Sequence, residues 1–341
     1  MASKNTKKIH LAERINRNWK RELLTYPLRF EAGQCHPSSI CLIGPNGPLA
    51  CQLSDVVYDE NGFAKSAMLS FLTDLSPLSE KTFTVEYSSS PGMKSRCPDT
   101  DLAVRNAGDM IEIVNDVTGV RVVGGEAHFS EPLSSTEMPG PVMALRASDS
   151  SWFGSSALYG SRKVTGYRSE IEAAGPVFVK ISVTYCMEDG DDIALRLTLV
   201  AETEAVFFES DSAKHHPDDG IFINLSDDYE SPILSVIGEY ERNKWGLEQD
   251  DIGHIDLLGE SAGDIYWLVP WEDWFDGTTR TVFSLRSPNS DTVLSIGSID
   301  PAAWNDVAWG RDEERHRFPF VPSSHWDLRL FKAMPLAKTS S

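Results

Sequence analysis

The sequence predicts an all-β protein: a small N-terminal barrel followed by a larger antiparallel sandwich. Three observations carry that expectation. From Gly175 to Asp211 the apolar residues fall on alternate positions, with Val177, Val179, Ile181, Val183 and Tyr185 set against Lys180, Ser182 and Thr184. After the turn Glu188-Asp189-Gly190-Asp191 the alternation resumes, Ile193, Leu195, Leu197 and Leu199 against Arg196 and Thr198. A period of two in two runs joined by a polar, glycine-containing turn is a β-hairpin with one buried face. Finally, no helix-period run longer than about three turns occurs after Leu24, which excludes a helical layer.

In chain order, Leu11, Ile15, Trp19 and Leu23 are spaced by four, with Arg14, Arg17, Lys20 and Arg21 around them. That spacing predicts an amphipathic helical extension over residues 1–24. The sharper reading of this basic stretch is a nucleic-acid arm. Residues 25–95 then read as the small barrel. LLTYPLRF, SICLIGP, PLACQLSDVVYD, FAKSAMLSFLTDL and KTFTVEY are strands, and Asn61-Gly62 is a hairpin signal. Ser88–Asp101 has the Ser, Pro and Gly content of a linker. Residues 100–341 form the expected second domain. Within it, 130–165 is poor in periodicity and reads as long loops over a sheet face.

The chain has 341 residues and a net charge of -20, from 31 basic and 51 acidic side chains. Such a field repels nucleic-acid phosphates and anionic membranes, so neither is an expected partner. No stretch has the apolar length of a signal-peptide core or a membrane span, which predicts a cytoplasmic protein. Five cysteines without a C-x-x-C pair fit reduced thiols. No cofactor motif and no metal-ligand spacing is read. His215-His216 lies near Asp211, Asp218 and Asp219, but adjacent strand residues point to opposite faces unless Pro217 turns the chain there.

Two segments offer sugar chemistry. IYWLVPWEDWFDG sets Trp271 and Trp274 beside Glu272, Asp273 and Asp276, ring faces for stacking next to carboxylates for hydroxyl groups. PAAWNDVAWGRDEERHRFPF holds Arg311, Arg315 and His316, where an Arg fork would hold a uronate carboxylate. Trp271, Trp274, Arg311, Arg315 and His316 are therefore the expected substrate-binding residues. The competing structural readings are a Trp-sealed domain interface and an internally paired charged loop.

Two blocks carry a resemblance. YPLRFEAGQ, LIGPNGPLACQLSDV and NGFAKSAMLSFLTDLSPLSEKTFTVEY resemble the N-terminal barrel of exo-rhamnogalacturonan lyase-like proteins. EAAGPVFVKISVTYCMEDGDDIALRLTLVAETEAVFFESD is similar to their central galactose-mutarotase-like supersandwich. The resemblance implies a carbohydrate-active protein that binds or acts on uronate-containing glycans, by β-elimination if it is a lyase. Lyases of that kind continue into an α/α toroid, and this sequence ends at Ser341. An α/α toroid subunit or domain is accordingly the implied partner, and catalysis by this chain alone is left open. The resemblance places no catalytic residue on the chain. Two alternatives stand beside it. One is a non-catalytic carbohydrate- or partner-binding module. The other is an aldose epimerase, for which Glu209 with His215 or His254 would supply the acid and base.

Overall fold

The computed structural model describes residues 5–91, 98–147, 150–212, 220–224, 233–236, 255–256, 282–286, 293–298, 317–320 and 326–332. Among them there are strands and single turns of 3-10 helix but no α-helix. The chain divides into two compact units, each with its own sheets.

The first unit holds β1 (Asn5–Ala12), β2 (Trp19–Arg29), β3 (Cys41–Gly44), β4 (Gly47–Leu49), β5 (Cys51–Tyr58), β6 (Ala64–Leu75) and β7 (Glu80–Tyr87). They form two antiparallel sheets, ordered β1-β7-β3-β4 and β2-β6-β5. The expected N-terminal helix over 1–24 is a strand, a turn and a second strand. Ile9 and Leu11 alternate with Lys8 and His10 and are buried, and β1 pairs with β7 along its whole length. The four-residue spacing breaks down at Ile15, which is 66% exposed, and at Asn16, whose φ of 57° lies outside the right-handed helical region.

The turn after β1 is organised by Glu13. Its buried carboxylate accepts hydrogen bonds from the Ile15 amide at 2.9 Å and the Leu78 amide at 2.7 Å. Burial raises the pKa of this group. Hydrogen bonds from the Leu78, Ile15 and Arg17 amides and the Trp19 indole outweigh burial and bring it down to about 2.

Side chains from both sheets meet in one core: Ile9, Leu42, Phe83 and Val85 from the first, Leu28, Leu69 and Phe71 from the second. Phe71 and Phe83 lie 5.0 Å apart between ring centres, and Phe30 meets Tyr87 edge-on at 4.9 Å. Cys35 is fully buried in this core, and desolvation pushes its thiol up to about 11. The β5–β6 hairpin turns at Asn61-Gly62, with Gly62 at φ 81° where a Cβ would be strained. Asp59 fastens this turn by accepting from Asn61 N at 2.9 Å and Phe63 N at 3.0 Å.

Residues Ala173–Val179 and Val200–Thr203 also belong to the first unit. Buried Gln52 on β5 joins them to it, its amide oxygen accepting from Val177 N at 3.1 Å and Phe178 N at 2.9 Å. Ala201 N donates to Val177 O at 2.9 Å, and the Asp101 carboxylate accepts from Glu202 N.

The second unit begins with β8 (Ala103–Ala107), β9 (Met110–Val114), β10 (Gly119–Val123), β11 (Glu126–Ser134), β12 (Val142–Arg146), β13 (Trp152–Phe153) and β14 (Ser155–Tyr159). Next come β15 (Lys163–Ala174), β16 (Phe178–Met187), β17 (Ile193–Val200), β18 (Ala205–Ser212), β19 (Gly220–Asn224) and β20 (Ile233–Val236). The remaining strands are β21 (Ile255–Asp256), β22 (Val282–Arg286), β23 (Val293–Ser298), β24 (Arg317–Phe320) and β25 (Trp326–Lys332). A ten-stranded sheet runs β11-β15-β16-β17-β18-β25-β23-β22-β20-β21. Beside it are a five-stranded sheet, β13-β12-β10-β9-β8, and a three-stranded one, β14-β19-β24.

The hairpin expected from Val177 to Leu199 is β16 and β17, with Val179, Ile181, Val183, Tyr185, Leu195 and Leu197 all buried. Its turn is fastened by Arg162, which donates to the Asp191 carbonyl at 2.9 Å and faces the Asp189 carboxylate at 3.3 Å. Residues 130–165, expected to be loops, contain the end of β11 and all of β12, β13 and β14. These strands are too short to show a period, and the connections between them are rich in Ser, Pro and Gly. Tertiary bonds hold them instead: Ser156 Oγ accepts from Val142 N at 2.8 Å and donates to Val142 O at 3.0 Å. Close by, the hydroxyl of buried Tyr185 donates to Pro139 O at 2.7 Å.

Candidate functional site

The alternation that buries one face of the ten-stranded sheet builds the other. On β16 it leaves Lys180, Ser182 and Thr184 half-buried, and on β17 it leaves Arg196 and Thr198. The β17–β18 register sets Arg196 opposite Glu209 and Thr198 opposite Phe207, so these residues share that face.

Two ion pairs cross the face, and each passes over an intervening strand. Glu172 on β15 meets Arg196 on β17 at 3.2 Å, across β16. Lys180 on β16 meets Glu209 on β18 at 3.1 Å, across β17. Next-but-one strands are about 10 Å apart, a span that needs the long arms of Lys, Arg and Glu. The four side chains are between 29% and 42% exposed, so the face is polar, interleaved and reachable by water. Hydroxyls of Ser182, Thr184 and Thr198 add donors and acceptors among the charges.

The backbone register continues this row into β25, placing Asp327 opposite Glu209 and Arg329 opposite Phe207. The sites named from sequence, Trp271, Trp274, Arg311, Arg315 and His316, lie outside the described residues, as do His215, His216 and His254. Of the acid–base candidates, Glu209 is on the polar face, paired with Lys180. No cluster of His, Cys, Asp and Glu that could hold a metal occurs among the described residues. The sequence already marked Lys180 and Arg196 as outward positions of alternating strands. It gave no sign that Glu172 joins them, because that depends on which strands are neighbours.

No family model matches the chain, and no curated protein matches it. Solved structures similar to it include two from Enterococcus faecalis. One is an alpha-mannosidase from Enterococcus faecalis V583, with 11% identity and a TM-score of 0.47 over 96% of this chain and 40% of that one. The other is a protein in glycosyl hydrolase family 38 from Enterococcus faecalis, with 10% identity and a TM-score of 0.49 over 96% of this chain and 44% of that one. The chain thus spans less than half the length of either. Among the described residues, no helix is long and apolar enough to cross a membrane.

Proposed function

We propose that this chain binds an acidic, uronate-containing glycan across the polar face of the ten-stranded sheet. The observation that carries the reading is the interleaved row Glu172–Arg196 and Lys180–Glu209. A uronate carboxylate is the chemical equivalent of the Glu172 side chain and competes for the same guanidinium. Partly exposed ion pairs contribute only about 0–1 kcal/mol each, so exchanging the partner of Arg196 costs little. The ligand gains a charge-assisted, planar fork in return. Ser182, Thr184 and Thr198 supply hydroxyl partners for the sugar. In this reading Trp271 and Trp274 stack on sugar faces, and Arg311, Arg315 and His316 hold further carboxylates. The resemblance to exo-rhamnogalacturonan lyase-like proteins supports the same substrate class.

Calorimetry with trigalacturonate and its methyl ester tests the reading. The acid binds, the ester binds at least tenfold more weakly, and Arg196→Gln loses a comparable factor without a change in melting temperature. Equal binding of acid and ester, or full affinity in Arg196→Gln, overturns it. Appearance of unsaturated-uronate absorbance in the same mixture distinguishes a lyase, in which Arg neutralises the carboxylate and a base removes the α-proton, from a binding module.

A further inference from the structure

The five-stranded sheet carries a concentration of positive charge, assembled from residues far apart in sequence. Its register aligns Arg105 on β8, Glu112 on β9 and Arg121 on β10 in one row. Glu112 is only 8% exposed. Its Oε2 accepts from Arg121 Nε at 3.0 Å and lies 3.0 Å from Arg121 Nη2. Its Oε1 is 3.4 Å from Arg105 Nη1. One buried carboxylate needs one cation for neutrality, and here it has two.

The two arginines differ in setting. The Arg121 guanidinium lies 4.0 Å from the ring centre of Trp152 and its side chain is 31% exposed. Trp152 is opposite Arg146 in the register, so its ring reaches over β12 to cover Arg121. Ala144, the residue opposite Arg121, is small enough to be passed over. Arg146, on the same face, donates to Asn115 O and Ser150 Oγ, both at 2.7 Å, and braces the rim. Arg105 is 67% exposed, and its one contact among the described residues is the long one to Glu112. A guanidinium has five N–H donors, so most of Arg105's donors face outward. The strands of this sheet bear three Arg and one Glu, in a chain whose net charge is -20. Asp109 and Asp116 lie in the flanking turns, off this row.

We infer that Arg105 and Arg121, braced by Glu112 and Trp152, form an anion subsite that takes the carboxylate of an acidic sugar residue. Glu112 and Trp152 fix Arg121 in place, and Arg105 supplies the exposed fork. A carboxylate settling there neutralises the excess charge of the row. The ligand class rests on the acidic-glycan reading above, while the site is separate from the ten-stranded sheet's polar row.

The test follows the arginine side-chain Nε–H resonances of the full chain by NMR, assigned with Arg105→Gln and Arg121→Gln and titrated with galacturonate or galactose. The Arg105 and Arg121 signals are expected to shift saturably with galacturonate and to stay still with galactose. In Arg105→Gln, expected to keep the wild-type melting temperature because Arg105 is exposed, the Arg121 shift should need at least tenfold more galacturonate. No shift, an equal shift with galactose, or an undiminished response in Arg105→Gln overturns the subsite. The two readings separate cleanly. If trigalacturonate binding falls in Arg196→Gln while the Arg105 and Arg121 signals stay still, the polar row stands and this subsite falls. If those signals respond to galacturonate while Arg196→Gln binds trigalacturonate like wild type, the subsite stands and the polar row falls.

Discussion

Lys180 reaches Glu209 over a strand to which neither belongs, closing at 3.1 Å above β17. The pair is partly exposed, so its net contribution is small. A double-mutant cycle on Lys180→Ala and Glu209→Ala should give a coupling of about 0.2–1 kcal/mol in urea unfolding. A coupling near zero would show that the two side chains do not hold each other in solution.

Leu197 is fully buried on the opposite face of the same hairpin. Leu197→Ala should cost about 2–5 kcal/mol through lost burial and the cavity left behind. A near-neutral effect in chemical denaturation would mean that this face of β17 is not packed.

The amide oxygen of Gln52 serves two backbone N–H groups, Val177 and Phe178. Truncation in Gln52→Ala strands a buried donor at Val177, at a cost of about 1–3 kcal/mol. Amide hydrogen exchange reads this directly, since Val177 and Phe178 should exchange faster in the variant. Unchanged protection at both amides would refute the assignment.

Glu13 is held to about 2 from an ordinary value of 4.5. A carboxyl depressed in the folded state stabilises it fully above its unfolded pKa, and that contribution is lost as pH falls through the folded value. Wild type should therefore lose stability between about pH 5 and pH 2 more steeply than Glu13→Gln, by parallel denaturation series. Identical slopes would show that the carboxylate does not titrate low.

The strands of the hairpin and of the first unit were legible because one face of each is buried, which writes a period of two into the sequence. Val179 to Tyr185 and Ile193 to Leu199 show it without interruption. The helix expected at the N-terminus failed for the opposite reason. Leu11 is core, Ile15 is an exposed turn residue, and their spacing of four has no common face. β12 to β14 were invisible because Ser156 and Tyr185 hold that region through contacts far away in sequence. The same holds for the candidate sites: Glu172 with Arg196, and Arg105 with Arg121, become neighbours only once strand order and register are set. The sequence clusters around Trp271 and Arg315 were conspicuous because they are contiguous, which is a property of composition and carries no information about neighbours across a sheet.

The fully buried thiol of Cys35 turns the first unit into its own clock. At neutral pH a thiol with a pKa of about 11 is almost wholly protonated, and its burial denies reagents access as well. Alkylation at Cys35 therefore requires the core of the first unit to open, and its rate follows how often that happens. A mass spectrum that counts alkylated Cys35 over time reads how often the first unit opens.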